Sequence, residues 1–243
     1  MSNFIMQLKT IKIPIIIPVL LSFTILRANP EASVPPFDWN EIYLDEDTLI
    51  IEESSRSSGP EGTIIMYKIR AKGFSPAKPI SVWKKHINHF SEYTYNLGYP
   101  VDPGSDILIE ISFQIENFAP GQPLDIALVS ENPGKRAHGK IIPFPINAEG
   151  TCDCSADVEL TSMSGLYFLI TFKGFQPEEE VKITNRLGLC TVISTIDATE
   201  EGKIYYIAGF AQRTRGKARI TARAKDRSVS LEYNVGKDAV LPQ

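Results

Sequence analysis

The feature that most constrains the fold is a phrase that the sequence contains twice. Residues 65–82 read IMYKIRAKGFSPAKPISV, and residues 166–183 read LYFLITFKGFQPEEEVKI. The offset is 101 throughout, so Phe74 corresponds to Phe175 and Val82 to Ile183. Each copy has an alternating segment, a Lys-Gly-Phe-x-Pro corner and a second alternating segment. Glycine permits a sharp bend and proline interrupts strand pairing, so the phrase predicts two tandem β-modules with both corner phenylalanines buried.

The alternation in each copy has the period of a β-strand. In the first copy Ile65, Tyr67 and Ile69 fall on one face, and Lys68 and Arg70 fall on the other. This pattern is typical of a strand with one packed face and one wet face. Similar short segments recur along the chain, separated by turn signals, as in an antiparallel sandwich. We therefore predict an all-β fold of two antiparallel sandwiches.

The first 28 residues have the layout of a secretory signal peptide. Lys9 and Lys12 precede an apolar run, residues 13–26, which is short for a membrane span of about 20 residues. Ala28 is the candidate cleavage position. The alternative is an uncleaved N-terminal anchor, through which alone the protein would contact a membrane. We expect an exported protein of the periplasm, the outer envelope or the extracellular space.

The predicted organisation then follows in order along the chain. It comprises a signal peptide at 1–28, an extended leader at 29–43, a first sandwich at 44–147, a linker at 148–154, a second sandwich at 155–238 and a tail at 239–243. The whole chain has 25 basic and 29 acidic side chains, for a net charge of −4. Such a balance argues against a general nucleic-acid binder, which needs a basic surface for phosphate contacts.

Further residues of the second module carry a resemblance to a known family. They are Gly174-Phe175-Gln176-Pro177-Glu178-Glu179-Glu180-Val181, then Glu201-Gly202, then Gly216-Lys217-Ala218-Arg219-Ile220. This set resembles the immunoglobulin-like β-sandwich repeat modules of bacterial envelope and surface proteins, which show G-F-x-P-G-E-x-V, D-x-x-G and G-x-[AY]-x-[VI] phrases. Glu178 stands where the family has glycine, and Ala77-Lys78 replace Gly-Glu in the first copy. The resemblance implies an immunoglobulin-like fold and a role as spacer, stalk, adhesive unit or part of an envelope assembly.

A row of cations late in the second module is the first candidate site. On a strand, side chains two apart share a face, so small and apolar residues would point inward and the cations outward. The predicted partner is anionic: a lipid headgroup, an acidic glycan or an acidic protein surface. The alternative is a solvated face paired with acids of the next strand. The cations occupy odd positions: Arg213, Arg215, Lys217, Arg219, Arg223, Lys225 and Arg227.

A tyrosine-rich segment, FSEYTYNLGY at residues 90–99, is the second candidate site. Tyrosine rings bury a large area at small entropic cost and suit recognition of proteins or sugars. Tyr93, Tyr95 and Tyr99 are the predicted contact residues. In the alternative interpretation the rings cover a sheet edge and pack on the core.

The three cysteines and three histidines suggest little chemistry. A disulfide is permitted in an exported chain, and we predict one between Cys190 and either Cys152 or Cys154, with Cys154 as the candidate partner; the alternative is three free thiols. His86 and His89 would point to opposite faces of a strand without a third ligand, so no metal and no cofactor is predicted.

No catalytic signature is present, since the sequence lacks G-x-S-x-G, H-E-x-x-H and phosphate-binding glycine loops. We therefore predict an exported, non-catalytic binding or adhesion module. Its partner would be an envelope or surface protein, or an anionic glycan or lipid headgroup. Two alternatives stay open: a structural spacer or stalk without its own ligand, and an enzyme whose site the sequence does not reveal.

Overall fold

The computed structural model describes residues 37–39, 49–60, 62–71, 74, 80–87, 90–95, 109–130, 135–212 and 214–241. For residues 90–95 and 109–110 it describes the backbone only. The predicted signal peptide at 1–28 lies outside these residues. Between Leu49 and Leu241 the regular elements of the described residues are fifteen strands and one short 3-10 helix, so the predicted all-β class is confirmed. Within the same part of the chain, no helix has the length and apolar character needed to cross a bilayer.

The strands pair antiparallel throughout the described part of the chain. Their bounds are β1 Ile50–Gly59, β2 Gly62–Ala71, β3 Ile80–Lys85, β4 Phe90–Tyr95, β5 Ile109–Glu116, β6 Leu124–Ser130, β7 Arg136–Ile141, β8 Ile146–Glu149, β9 Ser155–Leu160, β10 Tyr167–Lys173, β11 Glu180–Leu187, β12 Cys190–Asp197, β13 Ile204–Gly209, β14 Gly216–Arg223 and β15 Ser228–Val235; the 3-10 helix is Gly236–Ala239.

The first seven strands form two sheets around one apolar cluster. Their orders are β1-β2-β5 and β4-β3-β6-β7. Alternate residues of β2, such as Ile65 and Ile69, meet alternate residues of β6, such as Ile126 and Leu128, and all four are fully buried. Burial of a residue of this size contributes about 1.5–3 kcal/mol, which is why two half-apolar sheets associate face to face.

The remaining strands repeat this arrangement. Their sheets have the orders β13-β10-β9-β8 and β12-β11-β14-β15. Each strand of the first set has a counterpart numbered eight higher in the second set, with the same neighbours, and β8 is an additional edge strand. A second apolar cluster lies between these two sheets, with Phe168, Ile170 and Ile220 among its fully buried members. The topology of the chain is therefore duplicated.

Residues that correspond to one another in the two copies of the repeated phrase are buried in both. Ile80 and its counterpart Val181 are buried in their respective clusters, as are Val82 and Ile183. The corner phenylalanines Phe74 and Phe175 are also buried, which confirms the prediction for both.

The Lys-Gly-Phe-x-Pro corner of the second copy has a positive φ, which favours glycine, at two positions. Gly174 has a φ of +85°, and a Cβ atom there would lie 2.5 Å from the Asp153 carbonyl oxygen. Glu178, which stands where the resembling family has glycine, has a φ of +59°. The amide of Phe175 donates to the Gly202 carbonyl at 3.2 Å, so the corner is tied to the Glu201-Gly202 turn.

The predicted linker at 148–154 instead belongs to the second pair of sheets. Ala148 and Glu149 lie in β8, which pairs with β9, and Cys154 is buried in the second cluster. The chain passes between the two pairs of sheets through residues 142–145. Gly121 adds a direct contact, because its amide donates to Phe144 at 2.7 Å and its carbonyl accepts from the Leu160 amide at 2.8 Å.

Two segments outside the predicted sandwiches are packed. In the predicted leader at 29–43, Phe37 and Trp39 cover Trp83 on the outer face of the β4-β3-β6-β7 sheet. In the predicted tail at 239–243, Ala239 is buried against the second cluster.

Lys84 of β3 is only 7% exposed, with its ammonium 4.5 Å from the centre of the Phe113 ring. Burial lowers the pKa of Lys84 to about 8.

Candidate functional site

Strand β14 shows the alternation that the cation pattern predicts. Lys217, Arg219 and Arg223 are exposed on the outer face of its sheet, while Ala218, Ile220 and Ala222 are buried. The small inward side chains fit between the sheets, and the period of two then places every intervening cation in solvent.

The other predicted cations do not extend this row. Arg215 is exposed ahead of β14, and Lys225 is exposed in the turn between β14 and β15. Arg227 is half-buried and its guanidinium donates to the Gly174 carbonyl, so it has a structural contact at the corner. Arg213 lies outside the described residues. The row predicted from the sequence is therefore three residues long on the strand.

The neighbouring strand β11 adds two cations that the sequence analysis did not include. Lys182 lies directly opposite Arg223, and Arg186 lies directly opposite Arg219. All four are exposed. Like charges directly opposite one another are destabilising, so the pairing is unfavourable in the unbound protein. The alternation of Lys182, Thr184 and Arg186 was visible in the sequence, but only the strand register shows which cations they meet.

One acid partly neutralises this surface. Glu232 of β15 accepts from Arg219 Nε at 3.0 Å and lies 3.6 Å from the Lys217 ammonium. Within the described part of the chain, Lys182, Arg186 and Arg223 have no carboxylate within 4.0 Å, although Arg186 Nε donates to the Gly188 carbonyl at 3.1 Å. We call the set Lys182, Arg186, Lys217, Arg219 and Arg223 the cationic face. The alternative of a fully paired solvated face thus holds for only part of it.

Hydroxyl groups lie between the two cation pairs. Thr184 is paired with Thr221, and the Thr221 hydroxyl is 2.9 Å from that of Ser230. Sheet spacing places the paired cations about 5 Å apart across the strands and the two pairs about 13 Å apart along them. Such a flat array can donate hydrogen bonds to several carboxylate, sulfate or phosphate groups at once.

The same sheet carries two more acids next to the Lys182 end of the cationic face. Glu180 is paired with Asp197 at the beginning of β11, and both are exposed. Glu180 and Lys182 share the outer face of β11 two residues apart, so these acids border the cationic face beside the Lys182–Arg223 pair.

The tyrosine-rich segment is described only in part. Its residues 90–95 form the edge strand β4, in which Tyr93 is paired with Val82 and Tyr95 with Ile80. The side chains of Tyr93 and Tyr95, and all of Tyr99, lie outside the described part, so their recognition role stays a prediction.

The predicted disulfide between Cys154 and Cys190 is not formed, and all three thiols are free. Cys154 is buried beside Gly174, at the end of the sheets where β11 begins. Cys190 is paired with Leu187 at the other end of β11. Eight residues of strand separate the two ends by about 25 Å, whereas a disulfide requires Cα atoms within about 7 Å.

A cleft of about 500 Å³ lies between the two pairs of sheets. His86 and His138 both line it, with the His138 ring 3.5 Å from Asp125. Lys140 and Glu159 form an ion pair of 2.5 Å along its wall. The described residues contain no cluster of three potential metal ligands. An enzymatic role, the second alternative from the sequence, would have this cleft as its natural location.

Comparisons with known proteins add little to these observations. No protein-family model matches the chain, and no curated protein matches it. Among solved structures, the chain is similar to a tetra-tandem repeat in the extending region of a large adhesion protein, at 12% identity and a TM-score of 0.28. The match covers 79% of this chain and 50% of that one, so the chain spans about half the length of that structure. So low a TM-score does not establish a shared overall arrangement, and it transfers nothing to this chain.

Proposed function

We propose that this protein is an exported, non-catalytic module of two tandem immunoglobulin-like sandwiches that binds an anionic partner through the cationic face. The partner carries repeated anionic groups, as an acidic glycan or a surface of lipid headgroups does. The observation that carries the proposal is the pairing of Lys182 with Arg223 and of Arg186 with Arg219.

The immunoglobulin-like part of the proposal is supported by topology. Each set of seven strands has three strands in one sheet, to which β8 is added in the second set, and four strands in the other sheet. The strand order is the same in both sets. Seven antiparallel strands in two facing sheets are the architecture of an immunoglobulin constant-type domain, although the fourth strand here joins the other sheet. The constant offset of the repeated phrase supports a tandem duplication, and the apolar run at 13–26 supports export.

The cationic face is supported by its electrostatic cost. Two cation pairs directly opposite each other lower stability unless an anion or a carboxylate compensates them. Glu232 compensates only at Arg219 and Lys217. Binding of a polyanion would relieve the remaining repulsion, and because the backbone of the sheet is rigid, the ordering cost would be limited to the lysine and arginine side chains.

The test is binding of the purified protein to three probes: dextran sulfate, neutral dextran and vesicles containing phosphatidylglycerol. The double variant Lys182→Glu/Arg223→Glu removes one cation pair. The matched control Lys225→Glu/Lys237→Glu makes the same change in net charge at exposed positions off the cationic face. Circular dichroism confirms that each variant is folded.

We expect saturable binding of an anionic probe that weakens with salt and that falls by tenfold or more in the first variant. A charge-assisted hydrogen bond contributes about 1.5–3 kcal/mol, and about 1.4 kcal/mol corresponds to tenfold. The control should bind like the wild type. Preference between the polysaccharide and the vesicles distinguishes a glycan from a lipid partner. Equal loss in both variants, or no saturable binding to any anionic probe, would refute the cationic face and favour a spacer.

A further inference from the structure

Strand β12, Cys190–Asp197, is an open edge of its sheet. It pairs with β11 and with no other strand of the described residues. Its side chains are exposed toward both faces, including Val192 at 55% and Ile193 at 59%, and Leu189 in the preceding turn is almost fully exposed. The strand therefore presents free backbone groups together with apolar side chains.

The usual protections of an edge strand are missing from β12 except at its last residue, Asp197. Residues 187–196 contain neither a charge nor a proline, and the register with β11 has no bulge. By contrast, the edge strand β1 has a bulge between Glu53 and Ser55 and carries Arg56, and the edge strand β7 carries Arg136 and Lys140. A long, uncharged and apolar edge is a template for pairing with another strand.

We propose that β12 pairs antiparallel with β12 of a second copy, about a twofold axis perpendicular to the sheet. The uncharged segment then meets itself, so no charged group becomes buried at the centre of the contact. Isologous contacts of this kind are the commonest basis of homodimers.

The charges at the two ends of the sheet also favour antiparallel pairing with a second copy. Arg186 lies beside Thr191 near one end of β12, and Glu180 lies beside Asp197 at the other end, where Lys182 beside Thr195 leaves one net negative charge. Antiparallel pairing reverses the second copy, so the acidic end of each copy lies alongside the Arg186 end of the other. Parallel pairing would instead place acids near acids. The sheet thus carries a charge pattern that complements itself only in the antiparallel sense.

The dimer would also unite two binding surfaces. A twofold axis perpendicular to the sheet keeps both outer faces on the same side, so an eight-stranded sheet would present two cationic faces together. Two linked sites raise the apparent affinity for a repeating polyanion without any new contact. The self-association itself does not depend on the proposed ligand, and its test uses none.

The experiment is sedimentation velocity of the purified full chain over a range of concentrations. A contact limited to one edge strand is smaller than a standard interface, so we expect association in the micromolar range. Ile193→Lys and Val192→Lys place cations at the contact. Ile207→Lys is the matched control, because Ile207 is 75% exposed on β13 of the facing sheet. Thermal melts followed by circular dichroism show that the variants fold.

The wild type and Ile207→Lys should dimerise, and both β12 variants should associate at least tenfold more weakly. A second measurement compares Cys152→Ser/Cys190→Ser/Ile193→Cys with Cys152→Ser/Cys190→Ser/Ile207→Cys; mild oxidation should cross-link the copies only in the variant with Ile193→Cys. A wild type that stays monomeric at every concentration overturns the proposal. Association of Ile193→Lys as strong as that of the wild type would also overturn the proposal. So would a monomeric protein whose β12 binds an unrelated extended peptide.

Discussion

Replacement of Glu178 by glycine should stabilise the protein. Residues 176–179 form a turn in which the Glu179 amide donates to the Gln176 carbonyl at 3.1 Å. Pro177 occupies the second position and Glu178, with a φ of +59°, the third. This is the pattern of a type II turn, whose third position requires a positive φ and favours glycine. The Glu178 side chain is exposed, so its loss removes no buried contact.

The size of the effect follows from two opposing contributions. A non-glycine residue in the left-handed region costs about 1–2 kcal/mol. Glycine in its place loses about 0.5–1 kcal/mol more conformational entropy on folding. The free energy of unfolding should therefore rise by about 0.5–1 kcal/mol, which raises the midpoint temperature of a domain of this size by about 4 °C.

The neighbouring residue provides the matched control. Glu179→Gly makes the same chemical change at a residue without a positive φ, and it removes the 2.9 Å hydrogen bond from the Gln176 amide to the Glu179 carboxylate. That bond has a carboxylate acceptor and is exposed, so it contributes about 1.5 kcal/mol, the lower end of the range for charged groups, and the glycine adds an entropic cost of about 0.5–1 kcal/mol. Glu179→Gly should therefore lower stability by about 2 kcal/mol.

The assay is thermal and urea unfolding followed by far-ultraviolet circular dichroism. Both tryptophans, Trp39 and Trp83, lie against the first pair of sheets, so tryptophan fluorescence serves as an internal reference for that part. Opposite shifts in the two glutamate variants support the turn geometry. A loss of stability in Glu178→Gly equal to that in Glu179→Gly would refute it.

Two further predictions concern buried groups. The pKa of Lys84 is about 8 in the folded chain, below its usual 10.5, so the unfolded chain binds more protons between these values and stability should rise as the pH increases from 8 to 10. Urea unfolding followed by tryptophan fluorescence should show a gain of at most about 3 kcal/mol, absent in Lys84→Met; a flat profile in the wild type would contradict it. Cys152 and Cys190 are exposed and Cys154 is buried, so a thiol reagent should label two cysteines in the native protein and three in denaturant. Labelling of only one native thiol would indicate a disulfide.

The residues of the corners and strands were largely predictable because their signals are local. Alternation placed Ile65, Ile69 and Ile170 on buried faces, and the repeated phrase identified Phe74 and Phe175 as core residues. Each inference needs only the two-residue period of a strand and the preference of apolar side chains for the interior. The departure at Glu178 was also visible in the sequence, although its backbone conformation was not.

The structure differs from the predicted disulfide and the predicted linker for a common reason. Both depend on where a residue lies relative to strands distant in sequence. Cys154 and Cys190 were judged by their presence in one module, but antiparallel connections place them at opposite ends of β11. The segment 148–154 has the composition of a linker, yet its polar residues form the turn of a β-hairpin whose register was not readable from composition.

The candidate site divides along the same line. By itself the sequence determined the all-β class, the duplicated phrase and the outward direction of Lys217, Arg219 and Arg223 on β14, because each follows from local periodicity. Only the tertiary structure decided that Lys182 and Arg186 face these cations, that Glu232 neutralises just part of them and that β12 is an open edge. The physical reason is that strand pairing and its register arise from backbone hydrogen bonds between distant segments, and side chains become neighbours across a sheet only once that register exists.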